Sequence, residues 1–242
     1  MPFTFAHPAI VLPLRCLPKR WFSITSLIIG SMIPDFEYFI RMRVKSIYSH
    51  TLPGLFWFDL PLGLISVLIY WLLIKDKLID HLPKMLNKRF SPYKGSLKLS
   101  FTAIAIICLS VIIGAVSHII WDGFTHPQGY FVIHIPPLSA IIDLGSHHIY
   151  VYKLIQHGST LIGSVIILIV VLLLPEGSDT KSVGTTKYWL ITALVTGLTI
   201  LARLLTGLTF HEYGNLIVSI IAGWMLGLII TSFAVTNPRV NI

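Results

Sequence analysis

The sequence predicts an all-α fold, a polytopic transmembrane helical bundle of about five spans preceded by a short N-terminal interfacial or re-entrant helical segment. Three observations carry this. The chain is 55% hydrophobic and only 12% charged, whereas soluble domains are nearer a quarter charged. Apolar runs recur at the length of roughly 20 residues that crosses a bilayer core. The Lys and Arg residues gather between those runs, which is how membrane topology is written.

The elements follow in order. Residues 1–53 form the N-terminal part, and 54–242 the transmembrane bundle, within one integral membrane domain. The opening, Met1 to Trp21, has no charged region ahead of its apolar stretch and is broken by Pro2, Pro8, Pro13 and Pro18. It therefore lacks the pattern of a cleaved signal peptide, and a helix lying in the interface fits, with Arg15, Lys19 and Arg20 towards headgroups. Phe22 to Ile40 is too short in clean apolar residues to span. It is expected to be buried or re-entrant and to deliver Asp35 and Glu37 to the interior, ahead of Arg41, Arg43 and Lys45.

The first span runs from about Gly54 to Ile74 and embeds Asp59 in Phe58-Asp59-Leu60-Pro61. Lys75 to Lys98 then holds Lys75, Lys77, Lys84, Lys88, Arg89, Lys94 and Lys98, a cation density that places this segment in the cytoplasm. The second span, about Leu99 to Trp121, returns to the outer face. A loop of some thirty-five residues follows, rich in His and aromatic residues, and is expected to be a lid or interfacial excursion. Further spans run from about Gly158 to Leu174, Trp189 to Leu208 and Leu216 to Ala234, with Arg203 near the outer end of the fourth and Arg239 inside.

At the end of the second span His118, Asp122 and His126 recur every four residues. Four residues advance a helix by about 400°, so the three side chains share one face. Imidazole and carboxylate are ligands for divalent zinc, manganese or iron, and two His with one carboxylate leave positions open for water or substrate. The same spacing also suits a hydrogen-bonded His118–Asp122 pair closing the helix, with His126 in the loop. If Phe22 to Ile40 does not cross, the topology brings His7, Asp35, Glu37 and His50 to the same outer face; if it does, His7 falls on the inner side and the cluster shrinks. Asp35 and Glu37 lie two apart, about 200° round a helix, so both reach one centre only if Pro34 changes the local geometry. Asp59, a carboxylate inside a span, marks a function or a fixed partner. His81 falls in the basic segment on the opposite face, and His134, His147, His148 and His157 stay undecided.

Other classes are excluded by absence of pattern. There is no phosphate-binding loop, no Gly-x-Ser-x-Gly elbow and no dinucleotide fingerprint. The net charge of +8 comes without a basic patch interleaved with aromatics, so nucleic acid is not an expected partner. Cys16 and Cys108, the only two cysteines, make neither a disulfide framework nor a thiolate site.

The stretches Met1-Pro2-Phe3-Thr4-Phe5-Ala6-His7-Pro8-Ala9, Gly30-Ser31-Met32-Ile33-Pro34-Asp35-Phe36-Glu37-Tyr38, Ser49-His50, Phe58-Asp59-Leu60-Pro61 and Ser117-His118-x-x-Trp121-Asp122-x-x-Thr125-His126 resemble a bacterial family of integral membrane proteins classed as a domain of unknown function. The resemblance covers the first half of the chain by motif and the rest by hydropathy. In motif order the family is similar to inner-membrane metal-dependent hydrolases of the LexA-regulated kind. More distantly, the His-x-x-x-Asp-x-x-x-His helix resembles that of zinc-dependent phospholipase C and P1-type nucleases. The resemblance implies metal ligands at His7, Asp35, His50, His118, Asp122 and His126. A second His-x-x-x-Glu helix is missing here, which favours one or two metals over three.

The expected function is a membrane-embedded metal-dependent hydrolase of the bacterial cytoplasmic (inner) membrane, its site facing outward. Zinc is the first expected metal, with manganese and iron as others. Glu37 or Asp59 would serve as base or as an orienting group, and membrane lipids or a phosphate-containing substrate would be the partners, the phosphate held by Arg41, Arg43 and Lys45. The alternative is a non-enzymatic membrane protein, with a structural metal or polar cluster, or a small transporter using Asp59 and Arg203. Oligomeric state is not legible.

Overall fold

The structure is a computed structural model, and it describes residues 3–18, 20–145, 147–177 and 185–235. Lys19 and Arg239, used above as topological markers, lie outside these residues.

Among the described residues, five helices are long and apolar enough to cross a membrane: Leu52–His81, Phe101–Asp122, Val151–Leu172, Thr185–Leu205 and Tyr213–Ala234. At 1.5 Å per residue, the 30 residues of the first cover about 45 Å. It therefore outruns a hydrocarbon core of about 30 Å and carries its last turns into the cationic segment, which is helical again over Lys84–Phe90. Two stretches of this helix, Leu55–Asp59 and Tyr70–Ile74, are π-helical, a local widening that often accompanies functional side chains.

Phe22 to Ile40 is not among these five helices. It forms two short helices, Ile24–Gly30 and Ile33–Arg41. The seven residues of the first span only about 10 Å. Ser23 caps it, its side chain accepting from the Ser26 amide, and the turn at Ser31–Met32 separates the two. The loop after the second span carries an antiparallel hairpin, Ile141–Leu144 paired with His147–Tyr150, turning at Gly145 with φ +68°. The third span begins at Val151, so His157 lies within a helix and not in a loop.

The chain divides into two compact units. The first comprises Met1–Asp35, Tyr48–Leu64 and Leu99–Val171. Its centre is the crossing of Ile24–Gly30 over Phe101–Asp122, where two glycines allow backbone contact. A Cβ on Gly114 would lie 2.5 Å from the Leu27 carbonyl oxygen and 2.6 Å from the Ser31 nitrogen, and one on Gly30 would lie 2.5 Å from the Val111 oxygen. Such approaches admit glycine alone. The second unit comprises Phe36–Ile47, Ile65–Lys98 and Leu172–Ile242. It is built on the hairpin of Thr185–Leu205 and Tyr213–Ala234. At one end of that hairpin Lys77 donates to the Ser232 carbonyl and the Trp189 indole to the His81 carbonyl. At the other end Val44 donates its amide to Asn215 Oδ1, and Arg203 and Ser219 donate to the Met42 carbonyl.

Candidate metal centre

Five segments of the first unit each bring one or two ionisable groups to a common point. Phe101–Asp122 supplies His118 and Asp122, one turn apart on the face that Gly114 opens to the neighbouring helix. Ile33–Arg41 supplies Asp35 in its first turn, where a carboxylate is favoured by the helix dipole. Pro8 starts the short helix Pro8–Val11 and leaves His7 as its N-cap. His50 precedes Leu52–His81 with φ +61°, a left-handed conformation uncommon outside glycine; strain of this kind clusters at functional sites. His126 follows the end of the second span.

The ligand atoms of Asp35, His50, His118 and Asp122 all lie within 4.8 Å of one another. They form a ring in which imidazole and carboxylate alternate. His50 Nε2 is 3.6 Å from Asp35 Oδ1 and 3.5 Å from Asp122 Oδ2, and His118 Nε2 is 3.5 Å and 3.4 Å from the same two oxygens. A charge-assisted N–H···O bond would be about 2.7–2.9 Å. Two atoms bound at about 2.05 Å to one tetrahedral ion would instead stand about 3.3 Å apart. The ring has the spacing of ligands around a cation rather than of direct partners.

The other faces of these groups are already committed. His118 Nδ1 donates to the Ser31 carbonyl at 2.7 Å, which fixes the ring so that Nε2 faces the carboxylates. His50 Nδ1 is 3.0 Å from Ser49 Oγ. Thr4 Oγ1 donates to Asp35 Oδ2, leaving Oδ1 directed at the two imidazoles. This is how metal-binding histidines and carboxylates are held, with the non-ligating atom tied to a hydrogen-bond partner. Asp35 Oδ1, His118 Nε2 and both oxygens of Asp122 are buried without a hydrogen-bond partner among the described residues. Burying such groups unsatisfied is costly, and a bound cation would satisfy them together.

His7 lies at the edge of the ring. Its ring stacks on His118 with centroids 3.8 Å apart, Nε2 is 3.6 Å from Asp122 Oδ1, and neither ring nitrogen has a hydrogen-bond partner among the described residues. Burial, helped by neighbouring His118, pushes its pKa down to about 3, so it is a neutral imidazole at neutral pH. Burial alone would raise the Asp35 carboxyl, but His118 and His50 outweigh it and hold Asp35 well below the usual carboxylate range. For His50 burial acts downward, and the Asp122 and Asp35 carboxylates override it, raising its pKa.

The remaining expected residues are placed differently. His126 is partly exposed and turns Nδ1 back to its own helix end, 3.1 Å from the Asp122 carbonyl and 3.7 Å from Asp122 Oδ2; it is not one of the four mutually facing ligands. Asp59 is wholly buried at the end of the first π-helical stretch and is also outside that group. Glu37 is engaged by the segment that follows it: Oε1 accepts from Arg41 Nε at 2.7 Å and from the Ile47 amide at 2.9 Å, and Oε2 from Ser46 Oγ. Because Ile33–Arg41 stays helical through Pro34, Asp35 and Glu37 point about 200° apart. Sequence reasoning did not assign roles to Thr4 or to the Ser31 carbonyl, although both lie inside the two N-terminal motifs. His81, set aside above, is a packing residue stacked on Tyr188 at 4.4 Å.

Among known families, the one classed as domain of unknown function DUF4184 matches residues 1–233. The chain belongs to that family. The match takes in every residue of the His/Asp cluster. No curated protein and no solved structure matches the chain. Membership in DUF4184 therefore carries no activity with it, and the reading of the cluster rests on its geometry.

Proposed function

We propose that this DUF4184 protein is a membrane-embedded metal-dependent hydrolase acting on a phosphoester or lipid substrate at the outer face of a bacterial cytoplasmic membrane. The observation that carries the metal reading is the ring of Asp35, His50, His118 and Asp122 at 3.4–3.6 Å, with the far side of three of these side chains tied back. Two carboxylates and two imidazoles suit zinc, and manganese or iron accept the same donors. A bound ion of this kind lowers the pKa of water towards 7 and polarises an ester or phosphoryl oxygen. The protein's own contribution is to hold the donors: Thr4 orients Asp35, Ser31 orients His118, and Ser49 orients His50. We assign proton transfer to Asp59. The outward location is supported by the seven cations of residues 75–98, which precede the second span and put its His118–Asp122 end on the far side.

The count of four protein ligands also favours a second reading, since a closed four-coordinate zinc is commonly structural. In that case the ion would clip the N-terminal segment and the Ser49-His50 stretch to the second span.

The test is elemental analysis of detergent-purified protein, comparing wild type with His118→Ala and Asp122→Ala. Near-stoichiometric zinc, manganese or iron, lost in both variants, is the expected result; a well-folded wild type that takes up none of them refutes the metal centre. Loaded protein is then assayed on phosphoesters and phospholipids beside Asp59→Asn. Turnover that falls in this variant at full metal content supports the hydrolase, while absent turnover with a large metal-dependent gain in thermal stability supports the clip.

A further inference from the structure

The second unit contains an open cavity of about 430 Å³ lined by Arg41, Arg43, Lys45 and Arg203. Arg203 comes from the end of Thr185–Leu205, about 160 residues further along the chain than the other three, so the fold assembles this cluster. Met42, with φ +49°, bends the chain there, and its carbonyl accepts from Arg203 Nη2 at 3.3 Å. Glu37 ties Arg41 and Ile47 in place, and Asn215 ties Val44. The cations are therefore held on a braced segment.

The charge is not balanced locally. Glu37 is engaged with Arg41, and Glu212, which is fully exposed, is turned to Asn215 and Thr209. Four cations against these two carboxylates leave an excess of two positive charges, and Arg203 Nε is buried without a hydrogen-bond partner among the described residues. The cavity also sits at the Arg203–Asn215 end of the hairpin, whereas the seven-cation segment sits at the Trp189–Ser232 end. Cations at the end opposite the main basic segment run against the usual bias of membrane topology. Apolar side chains surround the cavity's residues in sequence and are exposed: Ile40, Val44, Leu205 and Phe210.

We propose that this cavity is a binding site for a terminal, dianionic phosphate group, presented by a lipid headgroup or as free phosphate. Guanidinium forks match phosphate oxygens in bidentate geometry, and Lys45 adds a point charge. The exposed Ile40, Val44, Leu205 and Phe210 would accommodate an acyl chain beside the headgroup. The site is independent of the metal-centre reading, since none of its four cations is a proposed ligand.

The test is calorimetric titration of full-length protein in detergent with dihexanoyl phosphatidic acid, inorganic phosphate and, as a control for the acyl chains, dihexanoyl phosphatidylcholine. Wild type should bind a terminal, dianionic phosphate group, and Arg203→Gln and Arg43→Gln should each weaken binding about tenfold, with Arg203→Lys weakened less. Binding of phosphatidic acid alone identifies a headgroup site, and equal binding of inorganic phosphate identifies a free-phosphate site. Binding of all ligands only weakly, tighter binding of the phosphatidylcholine control, or unchanged affinity in both glutamine variants overturns the proposal. Metal content should stay at the wild-type level in all variants, so failure here and failure of the metal centre are read separately.

Discussion

Replacing Gly114 by alanine tests whether the helix crossing positions the metal centre. The added Cβ would stand 2.5 Å from the Leu27 oxygen and 2.6 Å from the Ser31 nitrogen, both backbone atoms that cannot rotate aside. Restoring an ordinary contact of about 3.4 Å means opening the crossing by about 0.9 Å. If the Ser31 carbonyl takes that shift, its bond to His118 Nδ1 lengthens from 2.7 Å to about 3.6 Å, beyond hydrogen-bond range. Overpacking costs about 1–3 kcal/mol, and loss of a partner that orients a ligand costs about 10–100-fold in metal affinity. Gly158→Ala is the matched control: it too lies within a membrane-spanning helix, but its Cβ meets nothing within 4 Å, and alanine there should gain about 0.5–1 kcal/mol. The assay is thermal unfolding in detergent with and without added metal, together with competitive metal titration. Gly114→Ala should melt lower and bind metal more weakly while Gly158→Ala does neither. Wild-type melting and affinity in Gly114→Ala would refute the link between the glycine crossing and the site.

Two further outcomes are expected. Thr4→Val removes the donor to Asp35 Oδ2 at nearly constant volume, so metal affinity should fall about tenfold with the fold intact by circular dichroism; unchanged affinity would show that Thr4 does not orient Asp35. Metal affinity should fall as pH drops, because the raised His50 pKa means the metal-free protein keeps a proton there that the ion must expel, whereas His7, held to about 3, takes up none. Calorimetry between about pH 6 and 8 in buffers of different ionisation enthalpy should detect proton release, with binding strengthening as pH rises towards the His50 pKa and levelling above it. Proton-free, pH-independent binding would contradict the assignment of His50 as a ligand.

Much of this was legible because local rules decided it. The spans are set by runs of apolar residues whose length matches the bilayer, and the i, i+4 pairing of His118 with Asp122 is fixed by the helical repeat. The short apolar reach of Phe22 to Ile40 led to the expectation of a buried or re-entrant segment, and it forms two short helices. The hairpin at Ile141–Tyr150 was harder: four-residue strands give little periodicity, and the His147-His148 pair drew attention to side-chain chemistry instead. The extension of the first span to His81 was hidden because lysines read as a loop. There Lys75 stays in the helix by laying its ammonium 3.4 Å over the Trp71 ring and donating to the Gly95 carbonyl, contacts that no periodicity announces.

The two carboxylates of Ile33–Arg41 show where pattern gives way to placement. In sequence both follow one proline, Asp35 expected as a ligand and Glu37 as a base or orienting group. A regular helix forces them apart, and each then acquires the chemistry of what it meets. Asp35 meets His50 and His118 within the first unit, while Glu37 meets Arg41, Ser46 and the Ile47 amide within the second. The same helical turn that directs Asp35 to the His/Asp cluster therefore makes Glu37 the brace of the cationic segment, and exchanging their places would require unwinding it. A metal lost on Asp35→Asn but kept on Glu37→Gln, with phosphate binding weakened only by the latter, is the pattern this division requires.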